Sequence, residues 1–192
     1  MFLYVVRHGD SVYNAAGRAE GHYDSGLTFA GINYAVNLVP SLEKEPQAPS
    51  IIFSSDLARS YNTATVMADK LRIDTNRICL TKFLREVNYG DYAGMKFDDF
   101  DQIYKEDMDQ LFPNGESRNF MRLRVLYYLT RFILKQPEVS ILLIAHGGPL
   151  RSLLSEYAGI EFKTLYKKAT EKCLFRFKFE NETIQEVEYL YP

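Results

Sequence analysis

Tryptophan is absent from this 192-residue chain, and cysteine is scarce, with only Cys79 and Cys173. Two cysteines are too few for a disulfide framework, and neither has a close Cys or His partner at zinc-ligand spacing. Each sits in an apolar, strand-like run ("RICLTKF" and "KCLFRFKF"), where a free thiol behaves as a small hydrophobe and suits a reducing compartment. Long apolar runs are missing, so nothing approaches the roughly 20 residues that span a bilayer. The first strand begins at Phe2 with no basic segment or cleavage site before it, and a cytoplasmic location is expected. A surplus of either charge is lacking too: the net charge of −2 exerts no overall pull on nucleic acid or an anionic membrane. No repeat or low-complexity tract breaks the chain. What remains is a globular composition, 46% hydrophobic and 25% charged, long enough for one domain over residues 1–192 with a substantial core.

The elements that are present alternate. Strand-like runs occur at Phe2–Val6, Ile51–Ser54, Ile78–Phe83, Ile141–Ala145, Cys173–Phe179 and Thr183–Leu190. "ILLIA" is apolar throughout, as a strand covered on both faces must be. Leu57, Tyr61, Ala64, Ala68 and Leu71 recur at helical steps and define one apolar face. Phe120, Leu123, Tyr127, Thr130 and Leu134 do the same on a helix starting near Glu116. A third helix starts at Pro149, a favoured first position, with Leu150, Leu153, Leu154 and Tyr157 inward and Arg151 solvated. The alternation predicts an α/β three-layer sandwich, a mostly parallel central sheet with helices on both faces. "ENE" is short enough to join the last two strands as an antiparallel hairpin. "LEKEPQAPS" (Leu42–Ser50) reads as a loop. Residues 88–117, irregular and rich in Asp, Gly and aromatics, read as an insertion that could serve as a substrate lid.

Ligands of open α/β sheets bind beyond the carboxyl ends of the strands. Chemistry collects there in this sequence. Arg7 and His8 follow the first strand in "YVVRHGDSVYN", Arg59 the second in "SSDLARS", Glu86 the third in "REVNYG", and His146 the fourth in "AHGGPL". Singly, each has a plain explanation: a polar strand end, a surface salt bridge, a solvated carboxylate, a tight turn. Together they form a receptor for a dianionic phosphate, because guanidinium forks bind two phosphate oxygens at once and a helix start offers free N–H groups. Within it His8 can act as a nucleophile. Glu86, if protonated, can supply the leaving group's proton and later activate water. The cations neutralise developing charge, so the chemistry calls for no metal and no cofactor.

These motifs resemble those of the histidine phosphatase superfamily, the phosphoglycerate mutase-like family. "VVRHGDSVYN", "EGHYDSGLTFAG", "SSDLARSYNTA", "LREVNYGDYAG", "FPNGES" and "LLIAHGGPLRSLL" match it in order over nearly the whole chain. The resemblance implies a phosphoglycerate mutase-like fold, with His8 as the phosphorylated nucleophile. Arg7, Arg59 and His146 would bind the phosphoryl group, Asn14 would donate to it, and Glu86 would be the acid and base. Gly147 would offer a backbone N–H beside His146, and Gly9 would be the small turn residue of the phosphate loop. Glu116 and Ser117 are candidates for substrate contact, although "GES" before a helix also reads as its capping region. His22 reads as loop packing, and Tyr13, Tyr23 and Tyr89 could line the pocket, although packing is the default for so common a residue. Tyr13 stands where many members carry tryptophan.

Within the family, the compact "LREVNYGDYAGMKFDDF" is similar to phosphatases acting on small phosphate monoesters, such as α-ribazole phosphatases and broad-specificity phosphatases. The expected partner is therefore a small-molecule phosphate ester. A cofactor-dependent phosphoglycerate mutase is the alternative enzyme. A non-catalytic phosphate-sensing or phosphoprotein-binding module is the alternative outside enzymes, and it would need the arginines but neither His8 nor Glu86.

Overall fold

A computed structural model describes residues 1–103, 107–136, 140–161 and 173–190. The elements run β1 (Phe2–Arg7), α1 (Val12–Ala15), α2 (Phe29–Glu43), β2 (Ile51–Ser55), α3 (Ala58–Leu71), β3 (Ile78–Thr81), α4 (Phe97–Ile103), α5 (Arg118–Tyr128), β4 (Ile141–Ala145), α6 (Gly147–Ala158), β5 (Leu174–Glu180) and β6 (Thr183–Tyr189). The six strands form one sheet in the order β3-β2-β4-β1-β5-β6. β3, β2, β4 and β1 are mutually parallel, and β5 pairs antiparallel with both β1 and β6. Alternation along the strands sends Tyr4, Val6, Ile52, Leu142 and Ile144 to one face, against Leu38 of α2 and Met67 of α3. Leu3, Val5, Phe53, Ile141 and Leu143 go to the other, against Val125 of α5 and Leu153 of α6. All five residues of β4 are buried, as its unbroken apolar run requires. Among the described residues no helix is long and apolar enough to cross a membrane.

The strand register prepares the site. Arg7 lies opposite Ala145 in the β1–β4 pair, so His8 and His146 leave the sheet side by side. The hairpin forms as expected, with Asn181 and Glu182 at positive φ in its turn.

Four local expectations need correction. The third strand ends at Thr81, and a single 3-10 turn over Lys82–Leu84 replaces its last residues, turning Leu84 into the core. Helix α2 forms across residues that the periodicity reading passes over, started by Thr28, whose side chain accepts from Gly31 N–H. Helix α6 begins at Gly147, two residues before Pro149. A proline is tolerated there because its missing N–H falls within the first turn.

The fourth concerns α5, which buries a different stripe from the one expected. Phe120, Leu123 and Tyr127 are 60%, 55% and 51% exposed, while Met121, Val125, Leu129 and Ile133 are buried. The helix is apolar on two sides, so spacing alone does not choose between them. A π-turn over Leu129–Ile133, with Leu134 N–H bonded to Leu129 C=O at 2.9 Å, then brings Leu134 back inward.

Candidate active site

The loop after β1 is pinned from three sides. His8 N–H donates to Ala145 C=O at 2.9 Å, Gly9 N–H to the Thr63 hydroxyl at 3.0 Å, and Thr28 N–H to Asp10 C=O at 2.9 Å. Gly9 is required for a closer reason than a turn. A Cβ there would fall 2.2 Å from the carbonyl oxygen of Gly31, and one on Gly31 would fall 2.3 Å from that of Asp10. The loop and the first turn of α2 touch backbone to backbone, which only glycine allows.

His8 is 5% exposed. Its Nδ1 lies 2.7 Å from Gly9 C=O, so that nitrogen carries the proton and donates. The lone pair is left on Nε2, where it accepts the Nε–H of Arg59 at 3.2 Å. Burial, then the neighbouring Arg59 and Arg7 charges, hold the His8 pKa well below its ordinary value. The ring is therefore neutral, the form in which an imidazole can attack.

His146 stands beside it, ring centroids 4.8 Å apart and edge to face. Its Nε2 meets the Ser55 hydroxyl at 2.8 Å, while its buried Nδ1 has no hydrogen-bond partner. Burial and the Arg59 charge depress its pKa as well.

Arg59 is fully enclosed by the segment that follows α1. Its Nη1 donates to Tyr23 C=O and its Nη2 to Gly21 C=O, both at 2.8 Å. Its Nε also lies 3.4 Å from Glu20 Oε2. Glu20 is itself buried and receives the hydroxyls of Ser11 at 2.6 Å and Ser25 at 2.5 Å. Burial lowers the Arg59 pKa, and the Glu20 carboxylate works against that shift.

Glu86 reaches the start of α6. Its Oε2 accepts Gly148 N–H at 3.1 Å and its Oε1 accepts Val87 N–H at 2.9 Å. Gly148 makes this possible, because a Cβ there would lie 2.2 Å from Glu86 Oε1. Arg124 fixes the backbone behind it, donating to the carbonyls of Phe83, Arg85 and Glu86 at 2.7–2.8 Å. His22 adds an Nε2 contact to Glu86 C=O at 2.9 Å, and burial lowers its pKa. That is the packing role expected of it.

A pocket of about 490 Å³, counted to its open mouth, collects these groups. Arg7, His8, Asn14, Arg59, Glu86 and Gly147 line it together, six of the nine residues singled out from the sequence. His146 adjoins it through His8. Asn14 Oδ1 is buried there without a partner. Glu116 and Ser117 do not line it. The Glu116 carboxylate is engaged by Arg124 (Nη2–Oε1 2.7 Å, Nε–Oε2 3.1 Å) and by Asn88 N–H at 2.9 Å. The Ser117 hydroxyl accepts Phe120 N–H at 3.0 Å and caps α5.

Arg151, expected in solvent, is instead buried and lines the pocket. Glu20 and Phe97, to which the sequence gives no site role, line it too, and so does Tyr89, for which the sequence leaves pocket lining open beside packing. Glu20 lies in "EGHYDS" directly before Gly21, and only its burial beside Arg59 marks it. Among the described residues no group of three or more His, Cys, Asp or Glu could hold a metal ion.

Residues 3–189 match the model of the histidine phosphatase superfamily (branch 1). The chain is 30% identical over 170 residues to the 2,3-bisphosphoglycerate-dependent phosphoglycerate mutase of Bartonella henselae, covering 82% of each chain. It is 29% identical over 170 residues to the glucosyl-3-phosphoglycerate phosphatase of Mycobacterium tuberculosis, covering 79% of this chain and 72% of that one. Its fold matches the alpha-ribazole phosphatase of Shigella flexneri with a TM-score of 0.80 at 23% identity, over 99% of this chain and 96% of the other. That last likeness concerns the fold alone.

Proposed function

The chain belongs to the histidine phosphatase superfamily, and from that membership we propose that it is a phosphoric monoester hydrolase acting on small phosphate esters. The reaction runs through a phosphohistidine at His8 and needs no metal. The observation that carries this reading is the tautomer of His8: Nδ1 is tied to Gly9 C=O, and the electron pair sits on Nε2 in a pocket with Arg7, Arg59 and Glu86.

In the first step the Nε2 electron pair forms the N–P bond as the ester P–O bond breaks. Protonated Glu86 gives its proton to the departing oxygen. In the second step the Glu86 carboxylate takes a proton from water, whose oxygen attacks phosphorus and releases phosphate and neutral His8. Arg7, Arg59, the Gly147 N–H at the α6 start and the Asn14 amide receive the phosphoryl oxygens, and charge spread over them is stabilised without a metal. The orphaned His146 Nδ1 is a further group that such an anion would satisfy.

Tyr89 and Phe97, from the stretch 88–117, stand at the pocket wall, which supports reading that stretch as the lid of a single catalytic domain. Tyr89 packs on Phe100 and Phe112 at centroid distances of 4.8 and 5.2 Å. A cytoplasmic setting suits the free Cys79 and Cys173, the latter pushed up to about 11 by burial.

The wild-type protein is expected to release phosphate from p-nitrophenyl phosphate in the presence of a chelator, and His8→Ala to lose essentially all of it. Undiminished activity in His8→Ala would overturn the mechanism. The mutase among the relatives supports a second reading, in which the phosphohistidine is passed to a second sugar acid. Interconversion of 2- and 3-phosphoglycerate, dependent on bisphosphoglycerate priming and faster than phosphate release, would establish it. A binding module is disfavoured by the presence of both nucleophile and acid.

A further inference from the structure

Ser55 is the last residue of β2. The β2–β4 register sets Ser54 opposite Ile144, so Ser55 leaves the sheet beside the residues that lead to His146. It is fully buried. Its hydroxyl accepts Leu57 N–H at 3.3 Å and lies 2.8 Å from His146 Nε2. A hydroxyl carries one hydrogen, and among the described residues the acceptor left for it is Nε2. That nitrogen then holds a lone pair, and a neutral ring carries its proton on Nδ1. Nδ1 is buried without a hydrogen-bond partner, next to Gly147, which lines the pocket. The other tautomer fails twice. It leaves the buried Ser55 hydrogen without an acceptor, and it turns a bare Nδ1 lone pair toward an incoming anion.

Neutrality matters because the rings of His8 and His146 lie only 4.8 Å apart. Burial, then the neighbouring arginine charges, oppose a positive charge on either ring. An N–H on an uncharged ring binds a phosphoryl oxygen without setting another cation beside the nucleophile.

We propose that Ser55 is a positioning residue that fixes His146 as the Nδ1–H tautomer, so that the neutral ring donates to a phosphoryl oxygen and keeps its proton through both steps. The inference rests on the reading of this pocket as a phosphoryl site.

Nitrogen-15 NMR of the histidine rings reads the tautomer directly. In the wild-type protein at neutral pH, His146, assigned through His146→Gln, is expected to show a protonated Nδ1 and a bare Nε2. Orthovanadate should move the Nδ1 proton downfield while Nε2 stays bare. Ser55→Ala should shift the proton toward Nε2 in the free protein and weaken orthovanadate inhibition about tenfold, with cooperative unfolding retained. Ser55→Thr, which keeps the hydroxyl, should restore both. A merely structural role would lower activity without moving the proton.

A proton on Nε2 in the wild-type protein, with or without vanadate, overturns the inference, as does an unchanged tautomer in Ser55→Ala. If Ser55→Ala does not fold, the wild-type spectrum decides alone. Failure of the underlying reading looks different: the wild-type protein would neither bind orthovanadate nor form phosphohistidine from p-nitrophenyl phosphate, and the donor role would fall with it.

Discussion

Gly148 and Glu86 show how little room the chemistry has. The carboxylate lies against the α6 backbone with 2.2 Å between its Oε1 and the place a Cβ would occupy. Gly148→Ala must therefore displace the Glu86 carboxylate, which the proposed mechanism uses as the leaving group's acid. Its turnover of alkyl phosphates should fall at least tenfold, with a smaller change in KM and cooperative unfolding retained. On the proposed mechanism, Glu86→Gln removes the proton itself. Steady-state rates on alkyl phosphates should fall by about 10² or more, and far less on p-nitrophenyl phosphate, whose leaving group hardly needs protonation. Equal losses on both esters would mean that another group supplies the proton. At this scale the sequence was informative about residue types and silent about second contacts. Arg7, His8, Arg59 and Glu86 stand out as charged or nucleophilic groups at strand ends. Glu20 and Arg151 do not, because their value comes from burial against partners remote in sequence.

The segment bearing Glu86 has little regular structure and is held in place by α5. Arg124 spends three hydrogen bonds on the carbonyls of residues 83, 85 and 86 and binds the Glu116 carboxylate through two more. Glu116 in turn accepts Asn88 N–H. Arg124→Ala should lower stability by about 2 kcal/mol and reduce kcat through a misplaced Glu86, as read by urea unfolding and turnover together. Arg124→Lys should not rescue it, because a point ammonium cannot serve this divergent set of acceptors as a planar fork does. Periodicity located α5 but selected the wrong stripe. Phe120, Leu123 and Tyr127 satisfy helical spacing as well as Met121 and Val125 do, and the choice falls to the partners available on α6. Met121 Sδ receives the Ser152 hydroxyl at 3.8 Å, a contact between helices far apart in sequence.

Over the whole molecule, the three histidines are all held below their ordinary pKa, His8 and His146 strongly. The unfolded chain takes up protons as pH falls through about 6.5, whereas the folded chain resists them. Stability is therefore fully present above that pH and declines below it, by up to about 1.4 kcal/mol per pH unit for each such histidine. Urea midpoints between pH 5 and 7.5 should show this slope, and His8→Asn should flatten it by one histidine's share. An unchanged slope in that variant would mean that His8 titrates normally. Asp56, held low mainly by its Arg85 hydrogen bonds, acts only at more acid pH and does not confuse the test.

The alternation of apolar runs and helical stripes was enough to specify layers, strand number and the closing hairpin, because burial on two faces imposes its own period. The ordered motifs at strand ends were enough to specify the superfamily, because they match its pattern in order over nearly the whole chain. Tertiary structure alone decided the rest. The register that sets Arg7 opposite Ala145 brings two histidines together across more than a hundred residues. The backbone contact of Gly9 with Gly31 fixes the loop that presents His8. Glu116 and Ser117 were drawn to a clamp and a cap, and Arg151 into the pocket, by neighbours that no local pattern names. Composition and spacing act along the chain, while burial, desolvation and shared hydrogen bonds arise only once distant segments have met.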